Sequence, residues 1–191
     1  SGVAREGGDL VFRYFTSGEQ EAPIMAEYAA KLGLNRAAII YLNNEYGKSY
    51  RDAFTSAFKG EIVEEQTFLR SDTDFRAQLT KIKQAQPDCI YIIGYNTHII
   101  NILKQAKELG INATFMTNWI LASPDVQKGN EQLIEGVYFT TPAYYISNES
   151  SEFKQKFYET YGKQPSAYAA IGCDISNMLE KYMQPDVQST I

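Results

Sequence analysis

Five short runs of this chain are dense in Ile, Val, Phe and Tyr: residues 37–42, 61–68, 89–94, 113–117 and 136–141. Most are too apolar to be half exposed, which predicts the strands of a parallel sheet covered on both faces. Between them the apolar spacing changes to that of helices. Ala22, Met25, Ala26 and Ala29 form one buried stripe, and Tyr50, Ala53, Phe54 and Ala57 a second. Phe75, Leu79 and Ile82 form a third, and Ile99, Ile102, Leu103 and Ala106 a fourth. Asp72 and Asp74 are suited to cap the third helix, while Gly33 and Gly110 follow the first and fourth as stops. A helix followed by βαβαβαβαβ predicts an α/β fold, a doubly wound parallel sheet with right-handed crossovers.

After Thr141 the alternation fails. Residues 152–161 and 166–182 are two helical patterns in succession with no strand after them. Their stripes are Phe153, Phe157 and Tyr161, then Ile171, Ile175, Met178 and Tyr182. Residues 142–150 read as a crossing segment and residues 184–191 as a polar tail.

Composition narrows the function classes. The net charge of -5, with cations scattered among acids, leaves no basic stripe, so nucleic acid is not an expected partner. No apolar run approaches the roughly 20 residues of a membrane-spanning helix. No signal peptide stands at Ser1, so the chain is cytoplasmic or its targeting segment lies outside this sequence. Cys89 and Cys173 sit far apart in different settings and read as two buried single thiols rather than a disulfide.

Catalytic chemistry finds little support. Tyr46-Gly47-Lys48-Ser49 follows a strand and opens a helix, the place of a phosphate-binding loop, but that motif needs a glycine where Leu42 stands. Gly47 is better read as relieving a strand-to-helix turn. The sole histidine, His98, reads as a polar first-turn side chain, weighed against a pH switch or a catalyst. No metal ligand set or nucleophile motif is evident, so no catalytic residue, metal or cofactor is expected. What remains is aromatic and amide density at the strand ends. Asn43, Asn44, Glu45 and Tyr46 follow the first strand, Tyr95 and Asn96 the third, Asn118 and Trp119 the fourth, and Tyr144 and Tyr145 the fifth. In the common strand order 2-1-3-4-5, the loops after the first and third strands diverge and leave a crevice. Tyr46 and Tyr95 would face one another there, in walls that suit a small-molecule site.

Several segments carry a family resemblance: AAIIYLNNEYG (37–47), Asp74-Phe75 to Leu79, QPD to Gly94 (86–94), LKQAKELG (103–110), Glu135-Gly136-Val137 and FYETYGKQP (157–165). In this order, from about Val11 to about Met183, the chain resembles the type I periplasmic binding proteins, nearest their branched-chain amino-acid branch. The resemblance implies a Rossmann-like, three-layer αβα lobe, one of two that close on a ligand. It also implies that residues 11–143 are the second lobe and residues 144–183 a crossing segment with helices that belong with a missing first lobe. Tyr46 and Tyr95 match ligand-contact positions of amino-acid binders, and Tyr168 lies near a further one. Where those members place an acid against the ligand ammonium, this chain has Trp119 beside Asn118. Glu45 is a candidate substitute acid, and Trp119 a candidate stacking or cation–π wall.

The expected function is therefore an extracytoplasmic, periplasmic solute-binding protein, not an enzyme. It would deliver an amino acid or a related carboxylate or aromatic compound to an ABC transporter permease. The alternative is the ligand-binding sensor domain of a membrane signalling receptor. Helices without their first-lobe cover are expected to favour self-association.

Overall fold

Burial on both faces separates a central parallel strand from an edge strand, and it orders this sheet. β1 (Arg36–Leu42) is buried at every position after Arg36, and β3 (Cys89–Ile93) throughout. β2 (Glu61–Phe68) is only half-buried until it reaches Phe68. The computed structural model describes Gly7, Val11 and residues 13–183; the expected polar tail, 184–191, lies outside the described residues. With β4 (Thr114–Thr117) and β5 (Tyr138–Phe139) the sheet runs β2-β1-β3-β4-β5, every pair parallel, as the sequence predicts.

Although the central strands are apolar throughout, their residues still alternate between two cores. Ile39, Tyr41, Tyr91 and Ile93 pack with Ala22, Met25 and Ala26 of α1 (Gly18–Lys31) and with Tyr50 and Phe54 of α2 (Glu45–Ala57). Ala38, Ile40, Leu42, Ile90 and Ile92 pack with Leu79 and Ile82 of α3 (Arg76–Ala85) and with Ile99 and Ile102 of α4 (Asn96–Glu108). The result is three layers, αβα. Gly33 and Gly110 take left-handed φ of 74° and 63°. Beyond each, Leu34 and Ile111 donate back to the carbonyls of Ala29 and Ala106, which ends α1 and α4 as expected.

Three local expectations are corrected. β2 is not covered on both faces: it is the edge strand, and its register against β1 shifts between Ala37 and Ala38, so that Val63 is left over. The fifth strand has two residues rather than six, because Gly136 turns the chain with φ 78° and only Met116 and Thr117 of β4 offer partners. Asp72 does not cap α3; its carboxylate accepts from the Leu69 amide at 2.8 Å and closes the turn after β2. Asp74 does serve that helix, accepting from the Arg76 amide at 3.1 Å.

The turn from β1 into α2 depends on Gly47. A Cβ there would lie 1.9 Å from the Leu42 carbonyl oxygen, and the Gly47 amide donates to the Asn44 side chain at 2.9 Å. Backbone packs on backbone, so no side chain can move aside. Gly47→Ala is expected to lower stability by about 1–3 kcal/mol through overpacking, read as a fall in the urea midpoint at unchanged slope. An unchanged midpoint would show that the turn has slack.

Contacts divide the chain into two compact units, the first built mainly from Thr16–Thr141 and the second from the chain beyond it with the short segment that ends at Phe15. Between β4 and β5 the first unit adds a 3-10 turn (Trp119–Ala122) and two short helices, α5 (Pro124–Gln127) and α6 (Glu131–Ile134). The second unit holds α7 (Ala143–Ile146), α8 (Ser151–Tyr161) and α9 (Ala167–Tyr182). Phe153, Phe157 and Tyr161 meet as tilted rings in sequence along α8, while Ile175, Met178, Leu179 and Tyr182 of α9 stay exposed. Both cysteines are free. Cys89 is buried in β3, where desolvation and then the nearby Asp88 push its thiol up to about 12 and leave it unreactive at neutral pH. Cys173 is only half-buried, not buried as expected, because it lies on the poorly covered α9.

Candidate functional site

The carboxyl ends of parallel strands leave loops free to carry side chains across the top of the sheet. Here those side chains join into one row. Asn44 caps α2 and sets Tyr46 in its first turn, above the end of β1. Tyr95 is the N-cap residue of α4, above the end of β3. The two rings are stacked, 5.7 Å apart and 8° from parallel. Tyr46 also meets Tyr50 edge-on at 5.0 Å, and its hydroxyl accepts from the Asn118 amide at 2.6 Å. Asn118 follows β4, is wholly buried, and accepts from the Ile120 amide to open the 3-10 turn.

Two charged groups brace this row. Glu21, in the first turns of α1, is only 5% exposed. One of its oxygens accepts from Thr16 and Tyr50 at 2.9 Å each, and the other from Thr140 at 2.7 Å and the Trp119 amide at 3.4 Å. Four donors match the lone-pair sites of a carboxylate, which is what allows an acid to be buried here. Burial, with the Glu21 carboxylate next in importance, holds the Tyr50 phenol far above its ordinary range, so it remains a donor at every accessible pH. At the other end Arg70, two residues beyond β2, lays its guanidinium 5.4 Å from the centre of the Tyr95 ring. His98 ties these two loops together. The Tyr95 amide donates to its Nδ1 at 3.2 Å, and its Nε2 lies 3.1 Å from the Arg70 carbonyl. That pair of partners assigns the proton to Nε2. Packed edge-on to Phe68, His98 is a buried strut.

Of the residues expected at the site, Tyr46, Tyr95 and Asn118 come together. Trp119 emerges at the same edge but turns inward, with 7% of its surface exposed. Glu45 faces away: its side chain is 89% exposed, lies 3.7 Å from Lys48, and lines a shallow groove of about 400 Å³ with Glu19, Ser49 and Asp52. Tyr168 belongs to the second unit, where it is 63% exposed and stacked on Phe15 at 6.0 Å. That unit has its own groove of about 410 Å³, lined in part by Phe15, Tyr144, Phe153, Ile171 and Asp174. Tyr144, expected at the end of the fifth strand, donates to the Pro165 carbonyl at 2.7 Å. Sequence reasoning missed Glu21 and Arg70. A signal for Glu21 was present, since it stands one turn before Met25 on the buried stripe of α1. Arg70 carries none.

Among the described residues no group of three or more His, Cys, Asp or Glu side chains could hold a metal ion. Aromatic rings, a buried amide and a guanidinium offer stacking, hydrogen bonds and charge to a small molecule.

Known proteins resemble this chain throughout. The family described as periplasmic binding protein matches residues 3–184. The Leu/Ile/Val-binding protein homolog 3 of Brucella melitensis is 28% identical over 178 residues, covering 88% of this chain and 48% of the relative. A leucine-binding protein of Thermotoga maritima superposes with a TM-score of 0.75 at 26% identity, over 91% of this chain and 53% of that one. A type 1 periplasmic binding protein of Bordetella pertussis superposes with a TM-score of 0.81 at 22% identity, over 93% of this chain and 55% of that one. The chain thus spans about half the length of the curated relatives it matches. A match over nearly all its residues, on a parallel sheet of this order, makes the chain a member of the periplasmic binding protein family.

Proposed function

We propose that the first unit is the second lobe of a two-lobed, extracytoplasmic solute receptor that binds an amino acid or a related small carboxylate or aromatic compound. The receptor hands that ligand to an ABC transporter permease and carries out no reaction. The observation that carries this reading is the row of Tyr95, Tyr46 and Asn118 along the carboxyl edge of the sheet, the place where an open α/β lobe meets a small ligand. The names of its relatives, which bind leucine, isoleucine and valine, supply the ligand class. Closure is a population shift: a ligand touched by both lobes favours the closed form, and the permease responds to that form. The exposed stripe of α9 then serves as a packing face for the other lobe. In the isolated chain the same stripe favours pairing of two copies.

The full-length gene product is the material for the test. Calorimetric titration with branched-chain amino acids and aromatic carboxylates is expected to find micromolar binding. A change in the emission of Trp119, the only tryptophan, should accompany it, because its amide is held by the same Glu21 that holds Tyr50 under Tyr46. Turnover of any of them would replace the receptor by an enzyme, and failure of every compound to bind would overturn the proposed ligand class.

A further inference from the structure

The proposed receptor needs a partner for its ligand's charge, and Arg70 is the cation that lies against the stacked tyrosines of this edge. Glu21 is the acid buried beneath the row, and its two oxygens already accept from four donors. A fifth donor, such as an ammonium group, would have to displace one of them. Glu45 is turned toward Lys48 on the α1–α2 side. Trp119, which follows Asn118, is buried and brings no charge. An ammonium brought against this row therefore meets, among these described residues, carboxylates already engaged, Glu21 by four donors and Asp72 of the Arg70 loop by the Leu69 amide, so its desolvation is poorly repaid.

Arg70 is the opposite case. Its side chain is exposed, and among the described residues no carboxylate pairs with it. By contrast Arg36, Arg51 and Arg76 all have acids within 4 Å. Arg70 is also positioned. Its carbonyl is held by His98 and its guanidinium rests on the Tyr95 ring, so less freedom is lost when it engages an anion. A guanidinium offers a carboxylate two parallel N–H donors, and the stacked tyrosines beside it offer apolar surface to the rest of the molecule.

We infer that Arg70 binds the ligand's carboxylate and that this lobe selects carboxylates without an ammonium group, that is, deaminated aliphatic or aromatic acids. The inference rests on the solute-receptor reading and narrows its ligand class.

Matched probes test it on the full-length gene product: hydrocinnamate against L-phenylalanine, isocaproate against L-leucine, and hydrocinnamate against its neutral amide, each titrated calorimetrically. The two acids are expected to bind about tenfold or more tightly than their amino counterparts, and hydrocinnamate to outbind its amide. Arg70→Gln should weaken hydrocinnamate about tenfold or more and abolish the preference over the amide, while Arg70→Lys keeps part of it. Unfolding midpoints of both variants equal to the parent would show that the loss is one of recognition. Tighter binding of the amino acids, or hydrocinnamate binding that ignores Arg70→Gln, would overturn the inference and leave the receptor reading standing. Absence of binding by every probe would overturn both.

Discussion

Glu21→Ala is expected to lower the stability of the chain by about 2–5 kcal/mol, a large share of the ~5–15 kcal/mol typical of a domain. The loss comes from the donors left behind. The Tyr50 hydroxyl and the Trp119 amide make buried bonds to Glu21, and each buried donor without an acceptor costs about 1–3 kcal/mol. Thr16 and Thr140 are half-buried in their bonds and can turn to water. Glu21→Gln keeps the shape and one acceptor oxygen but sets an amide group against two donors, so it should fall between. Urea unfolding followed by Trp119 emission reads both quantities at once. The midpoint should drop in the order parent, Gln, Ala, and the native emission of Glu21→Ala should move to the red as water reaches the indole. A Glu21→Ala protein with the parent's midpoint would mean that the four bonds are incidental.

The second large effect is expected at Tyr46. Its ring stacks on Tyr95 and meets Tyr50 edge-on, contacts worth about 0.5–1.5 kcal/mol each. Its hydroxyl is the acceptor for the wholly buried Asn118 amide. Tyr46→Ala removes all three, for about 2–4 kcal/mol. Tyr46→Phe removes only the acceptor, for about 1–2 kcal/mol. Binding separates the two further: a ligand that rests on the ring stack should lose about tenfold or more affinity with Ala and far less with Phe. Equal losses from the two variants would place the hydroxyl, not the ring, against the ligand.

The sheet was legible because its signals are local. Leu42, Ile93 and Thr117 each end an apolar run just before a polar helix start, and the strand order makes Tyr46 and Tyr95 neighbours without further information. The braces were not legible because their partners are distant. Nothing near Arg70 in the chain distinguishes it from other exposed arginines, and its place over Tyr95 depends on a carbonyl held by His98. The direction of the Trp119 side chain was not legible for a different reason. Its position after β4 was legible, but Asn118 caps a 3-10 turn that begins at Trp119, and the indole is buried there. The direction of Glu45 was not legible because proximity along the chain to Tyr46 says little about it, successive helix residues pointing about 100° apart.

The bonds of Glu21 also set an order of events during folding. Its partners Trp119 and Thr140 lie 98 and 119 residues further along the chain, whereas the β1–α2 turn and the α4 cap close within three residues. Closing long loops is slow because their entropy must be lost before any contact repays it. The βα units can therefore form while the chain is still emerging from the ribosome, but the Glu21 carboxylate waits for the last strand. Until Thr140 arrives, the aromatic row at the carboxyl edge of the sheet lacks the last of the bonds that brace it.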